Sequence, residues 1–363
     1  MEIAVLGGGH GCYAAAADAA EAGHNVRFWR RNTKAFTETL NTQKVIVSDE
    51  NGRRSISLAL ATDDIKKAID GAKLIVSPLP ANAQPQISNL IAPHAEDGQI
   101  VFIPPGTFGS FLMAHKMSAL DHTANVTFAE SGTLPWLVRK QSDDTARITA
   151  RTTRLPTGVF PAKYTNQTLD IIRQVFPSVE KCQDALDAAL LNYGPIIHPP
   201  LILMNAGPLA HFDAWDIHAE GTQKTIRNVQ NALDNERVTL REALGYGPPH
   251  FRLRDHYERN PNGETMYPID SHDNLVDSSD WREHIDLHSH RYMLEDVAMG
   301  LSLLVSIASW LNIPCPIATG LLSISGAAVG QDFQTTGRTF EKLKLSQFDP
   351  PTLKKILYEG LDE

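Results

Sequence analysis

Between Leu6 and Ala14 the chain reads Gly7-Gly8-Gly9-His10-Gly11-Cys12-Tyr13. This stretch follows a short apolar run, Ile3 to Leu6, and opens an alanine-rich segment, Tyr13 to Ala22, of helical character. Glycines at a strand-to-helix turn let the backbone approach a pyrophosphate, whose charge then meets the unsatisfied N–H groups of the helix start. Two registers of the G-x-G-x-x-G/A pattern fit: Gly7 and Gly9 with Cys12 third, or Gly9 and Gly11 with Ala14 third. His10 lies inside the loop in both. The residue after the second strand reads the adenosine ribose: an acid there selects NAD, and Arg accommodates a 2′-phosphate. Here Val26 to Trp29 is followed by Arg30-Arg31-Asn32, with no acid. A guanidinium can fork two hydrogen bonds onto phosphate. NADP is therefore the favoured cofactor and NAD the second, with Arg30 the first contact and Arg31 the next.

Two segments further along carry polar groups in apolar surroundings. His198 sits in Asn192-Tyr193-Gly194-Pro195-Ile196-Ile197-His198-Pro199-Pro200, where a lone His is by default a packed one. Glu295-Asp296 interrupts a helical pattern of Val297, Leu301, Leu304, Val305 and Ala308. A carboxylate there costs stability unless it is paired. His284, His288 and His290 make an H-x-x-x-H-x-H cluster, but no H-E-x-x-H accompanies it. No metal is expected; a polar approach to Arg291 is the better reading.

These residues need elements to hold them. Up to about residue 180, short continuous apolar strands (Ile3–Leu6, Val26–Trp29, Leu74–Ser77, Ile100–Ile103, Val126–Ala129) alternate with helical stretches, which implies a parallel sheet covered on both faces. Beyond it strand signals are scarce and helical runs dominate: Asp184–Leu191, Leu233–Ala243, Tyr292–Leu311 and Pro316–Gly330. The reading is an α/β Rossmann domain at 1–182 and an all-α domain at 183–363. Gly247 to Trp281, rich in Pro, Asn, Asp and Gly, is expected to be a long excursion over the surface.

The chain has 363 residues, 42% of them apolar, enough for a sizeable core. A net charge of −9 leaves no general pull toward nucleic acid or an anionic membrane. No uninterrupted apolar run reaches about 18 residues, and the longest candidate for a spanning helix is Gly300–Leu311. Three scattered cysteines, Cys12, Cys182 and Cys315, argue against a disulfide framework and for a reducing cytoplasm.

The glycine loop resembles one part of a longer pattern. Together with the "HP…N" segment (His198, Pro199, Asn205), the "RY…ED…GL" segment (Arg291 to Leu301), Asn312-Ile313-Pro314-x-Pro316 and the closing Gly337-Arg338-Thr339-x-Glu341-Lys342-Leu343, it resembles the octopine/nopaline dehydrogenase family of opine dehydrogenases, including the bacterial N-(1-carboxyethyl)norvaline dehydrogenase type. The resemblance spans nearly the whole chain. It implies a Rossmann domain and a helical domain with the active site between them, a catalytic His–Asp pair at His198 and Asp296, a substrate-carboxylate Arg at Arg291, and an Asn near the site at Asn205. The implied reaction is NAD(P)H-dependent reductive condensation of a 2-oxo acid with the amine of an amino acid. Histidine is the side chain that moves protons near neutral pH, and a buried Asp on its other nitrogen fixes the tautomer. Arg291 and Asp296, five apart, would lie roughly 140° from each other on an ideal α-helix, so they share a site only if Arg291 precedes the helix or the two flank the substrate. A hydroxyacid or ketopantoate-type dehydrogenase is the alternative, but such enzymes use a Lys that these segments lack. A dinucleotide sensor without chemistry is the third reading. Homodimers are common in such folds, though no residue pattern here specifies one.

Overall fold

Strands that are apolar at every position cannot face water on either side, so helices must cover both faces of the sheet they form. The computed structural model describes residues 1–120, 124–260 and 262–361. It divides into two units, Met1–Ala189 joined by the C-terminal segment from Ile356, and Leu190–Lys355. Residues 183–189 and the segment after Lys355, read from sequence as part of the helical domain, thus group with the first unit. Residues 362 and 363, the end of that reading, lie outside the described set.

In the first unit eight strands lie in the order β12-β11-β8-β7-β6-β1-β2-β5. They are β1 (Glu2–Leu6), β2 (Asn25–Trp29), β5 (Leu60–Thr62), β6 (Leu74–Val76), β7 (Ile100–Ile103), β8 (Thr127–Ser131), β11 (Leu155–Phe160) and β12 (Val179–Lys181). From β5 through β8 all neighbours are parallel. Strand β11 is antiparallel to β8 and carries β12 with it, so the sheet is mostly parallel, as read from the sequence, with one antiparallel junction. The reason is local: β8 and β11 are linked by strands rather than by the helical crossover a parallel pair requires.

Those linking strands belong to a second sheet that the sequence reading missed. Strands β3 (Lys44–Asp49), β4 (Gly52–Ser57), β9 (Trp136–Lys140) and β10 (Thr145–Arg151) pair in the order β4-β3-β10-β9. Their inner face presents Val45, Val47, Trp136, Val138, Ala146 and Ile148 to the first helix, His10–Glu21. On that helix Gly11 through Ala17 and Ala19 are all buried. A helix clamped between two sheets keeps no wide polar face, and small side chains let both sheets come close. That accounts for its run of alanines. Asp18 is its polar tether: it pairs with Arg151 at 2.7 Å and accepts the Trp136 indole N–H at 2.7 Å. Arg151 also reaches Asp49 at 2.8 Å, which Arg54 binds at 2.6 Å. Burial works to raise the Asp49 carboxyl, but hydrogen bonds from the two guanidinium groups override it and hold the group well below the usual range.

The second unit is helical. Its helices include Gly194–Met204, Lys224–Ala243 and Pro316–Val329, and Tyr292–Leu301 continues directly into Ser302–Leu311. The last two form 20 continuous residues with a window of mean hydropathy 1.5, long and apolar enough to cross a membrane. This corrects the shorter span read from sequence. Tyr292, Met293, Val297, Leu301, Leu304 and Ile307 are buried on it, as in a core helix.

The 247–281 segment is no surface excursion. It forms two short helices, Leu253–Tyr257 and Ser271–Ser278, and buries Phe251, Leu253, His256, Met266, Tyr267 and Trp281; Pro261 lies outside the described residues. Burial, His272 and Arg227 push His256 down to about 3, and burial with Arg227 pushes His272 down to about 4. Both folded values lie below the unfolded one of about 6.5. Below pH 6.5 the unfolded chain therefore takes up protons that the folded chain refuses, and stability falls with pH until the folded values are reached. His256 alone is expected to cost about 2 kcal/mol between pH 7 and pH 5. Urea unfolding at the two pH values measures it, and equal midpoints would contradict the assignment.

Candidate active site

The carboxyl end of β1 is the sheet's switch point, with β2 on one side and β6 on the other. Gly7 there has φ +121°, a conformation that L side chains rarely adopt, and the Cys12 thiol packs beside it. Gly9 caps the first helix, and a Cβ built on it would meet nothing within 4 Å. Gly11 faces inward onto Leu134 and Pro78. Of the two registers, the geometry therefore fits Gly7, Gly9 and Cys12, with Cys12 as the small buried residue under the turn. Burial raises its thiol to about 12, which leaves it unreactive. The helix starts at His10 with no side-chain cap and no acid in its first turn. Open backbone at an uncapped helix N-terminus suits a dinucleotide pyrophosphate.

Around this loop, Arg30 lies across Gly8 and donates to the Ala35 carbonyl and, at 3.4 Å, to the Tyr13 hydroxyl. Arg31 is exposed. His10 Nδ1 accepts the backbone N–H of Lys140 at 2.6 Å, so its ring ties the second sheet to the loop. Glu130, which ends β8, is fully buried: it accepts the N–H groups of Phe108 and Ser110 and the Ser110 hydroxyl at 2.6–2.8 Å. It therefore caps the helix Gly109–Ser118.

The second unit brings together two of the candidate residues. His198 Nδ1 and Asp296 Oδ2 are 2.7 Å apart, joining residues 98 positions apart in the chain. The Asp296 side chain is 7% exposed and that of His198 13%, so the acid sits behind the imidazole. Two glycines permit this. A Cβ on Gly194 would collide with Asp296 Oδ1, and one on Gly300 would collide with the Pro195 ring. At both glycines the backbone of one helix thus packs directly against a side chain of the other. The Tyr292 ring stacks on His198, centroids 3.8 Å apart, and His218 packs edge-on at 5.7 Å. Burial pushes the Asp296 carboxyl up, while Arg291 and His290 pull it back.

The five-residue spacing of Arg291 and Asp296 finds its answer in the backbone. Tyr292–Leu301 is a π-helix, with Arg291 as its N-cap. A π-helix closes i to i+5, which brings residues five apart onto one face, and such segments occur at functional sites. Arg291 lies 5.1 Å over the Tyr292 ring, the same ring that stacks on His198.

Asn205 directs its side chain into the protein's own backbone and a neighbouring indole. Its amide donates to the carbonyls of Leu201 and Gly221 and accepts from Trp215 Nε1, at 2.9 to 3.2 Å, so it braces the 201–221 segment. His284 and His288 are exposed and lie outside any helix. Among the described residues no cluster of three or more His, Cys, Asp or Glu could hold a metal. The sequence reading missed Gly194, His218 and Tyr292. Gly194 and Tyr292 both lie inside the segments quoted for His198 and Arg291, whereas His218 carried no such signal.

Residues 181–329 match the family profile of the NAD/NADP octopine/nopaline dehydrogenase α-helical domain, and residues 2–105 match that of the NAD-dependent glycerol-3-phosphate dehydrogenase N-terminus. An opine dehydrogenase of Arthrobacter sp. (strain 1C) is 26% identical over 348 residues, covering 94% of this chain and 95% of its own. A solved octopine dehydrogenase in complex with NADH and agmatine aligns with TM-score 0.72 at 17% identity, over 99% of this chain and 98% of its own. A yersinopine dehydrogenase with NADP+ bound aligns with TM-score 0.67 at 15% identity, over 99% and 98%.

Proposed function

Because the chain belongs to the octopine/nopaline dehydrogenase family and is an NAD(P)-dependent oxidoreductase acting on CH–NH groups, we propose that it condenses a 2-oxo acid with the amine of an amino acid and reduces the product, with NADPH favoured. The observation that carries this reading is the His198–Asp296 contact at 2.7 Å.

The amine attacks the keto carbon to give a carbinolamine, which loses water to become an imine; reduction then yields the secondary amine. His198, its Nδ1 held by Asp296, uses Nε2 to take the proton the attacking amine sheds and to give one to the departing hydroxyl. Asp296 stabilises the imidazolium formed between those steps. Arg291 grips the oxo acid's carboxylate and orients the carbon to be reduced. The bound dinucleotide supplies the hydride for that reduction.

A reducing cytoplasm is supported by three buried cysteines that form no disulfide among the described residues. A homodimer, common for such folds, is the proposed assembly.

The test follows NADPH absorbance with pyruvate and a panel of amino acids. Oxidation that requires both co-substrates supports the reading. Oxidation without amine would indicate a hydroxyacid enzyme, and none with any pair would indicate a sensor. For the cofactor, Arg30→Ala is expected to weaken NADPH by about 10- to 100-fold, the worth of a charge-assisted contact, and NADH much less. Equal losses would remove Arg30 from the 2′-phosphate.

A further inference from the structure

Arg30 is not the only cation beside the glycine loop. Lys140 ends β9 of the small sheet, and its ammonium lies 4.5 Å from the centroid of the Tyr13 ring. The hydroxyl of that same tyrosine accepts from Arg30 at 3.4 Å. Tyr13 is 1% exposed and sits in the first turn of the helix, three residues after His10. The Lys140 backbone N–H, bound to His10 at 2.6 Å, pins the end of β9 to that turn. Two cations on different elements therefore flank one buried ring at the helix start.

Their counter-charges are few. Lys140 is 15% exposed, and its nearest acid is Asp143 at 3.6 Å, itself 66% exposed. Arg30 donates to a carbonyl and a hydroxyl. Burial and the neighbouring Arg30 lower the Lys140 ammonium below its ordinary value, as befits like charges brought together. Like charges held together in a partly buried site favour an added anion, and a dianion suits two of them.

We propose that Lys140 is a second reader of the adenosine 2′-phosphate, so that the small sheet, and not only the end of β2, sets the cofactor preference. This deepens the dinucleotide reading above and rests on it. A ribose hydroxyl would leave the two cations without their anion, whereas a 2′-phosphate carries ≈ −2 of charge and acceptor oxygens for both. The site takes the phosphomonoester, not the pyrophosphate, which belongs to Gly9 and the helix start.

Binding, not turnover, tests this. Dissociation constants for NADPH, NADH and 2′,5′-ADP are measured by titration calorimetry on the parent, Lys140→Met and Lys140→Arg. Met keeps the stem packed on Tyr13, Arg keeps the charge, and thermal unfolding of each checks that the fold survives. The expected result is a loss of about 10- to 100-fold for NADPH and 2′,5′-ADP in Lys140→Met, with NADH within about threefold and Lys140→Arg near the parent. Equal losses for NADPH and NADH would overturn the proposal and move Lys140 to the pyrophosphate. Unchanged binding of all three would also overturn it. A parent that prefers NADH and ignores 2′,5′-ADP would instead sink the NADP preference itself.

Discussion

His198→Ala is expected to lower turnover by about 10²–10⁴-fold, the usual yield of a positioned acid–base group, with NADPH binding almost unchanged. The split follows from where the residue sits. His198 lies in the helical unit, on the helix Gly194–Met204, while the glycine loop and Arg30 belong to the first. Single-turnover kinetics and a binding titration on the same preparation measure both quantities. Comparable turnover in variant and parent would take His198 out of the mechanism.

Asp296→Asn is expected to cost nearly as much, up to about 10⁴-fold, because an amide keeps the shape but can hold the imidazole in the wrong tautomer. Asn preserves the close fit against Gly194, so thermal unfolding should shift little. The decisive readout is coupling. If Asp296 acts only through His198, the double variant is no slower than His198→Ala alone. A fully additive loss would show that the carboxylate has a separate task. The pH–rate profile should also change in Asp296→Asn, since the burial-raised carboxyl is removed as a titrating group.

Much of this arrangement was readable from residue types. Uninterrupted apolar runs such as Leu74–Val76 and Ile100–Ile103 announce a doubly covered sheet, and the glycines after Leu6 announce what its first turn binds. The small sheet escaped because its strands alternate: in β10, Ala146 and Ile148 point inward while Arg147 and Arg151 are only half-buried. Such a strand carries a weaker signal than a central one, and β3 and β10 pair in parallel although about 100 residues separate them. The alanines of the first helix did hint at a second covering layer, since a helix covered on one face would show a polar one. The 247–281 segment misled for the opposite reason. Its Pro, Asn and Gly mark turns, but Phe251, Met266 and Trp281 between them are anchors, and composition averages the two. The pairing of His198 with Asp296 came from the family pattern rather than from local physics. No local rule links positions 98 apart.

The wide-turned backbone from Tyr292 to Leu301 has a consequence for how this segment tolerates change in length. Deleting one residue there would let an ordinary α-helix form, with better backbone bonds and the same apolar content. Made between the guanidinium and the acid, that trim would leave them four apart on the tighter coil, about 40° from each other and still on one face, whereas the full-length segment wound the same way would hold them about 140° apart. The wide turns thus take up one residue more between the two anchors than an ordinary coil could, and an insertion, not a trim, is what would set those anchors facing apart.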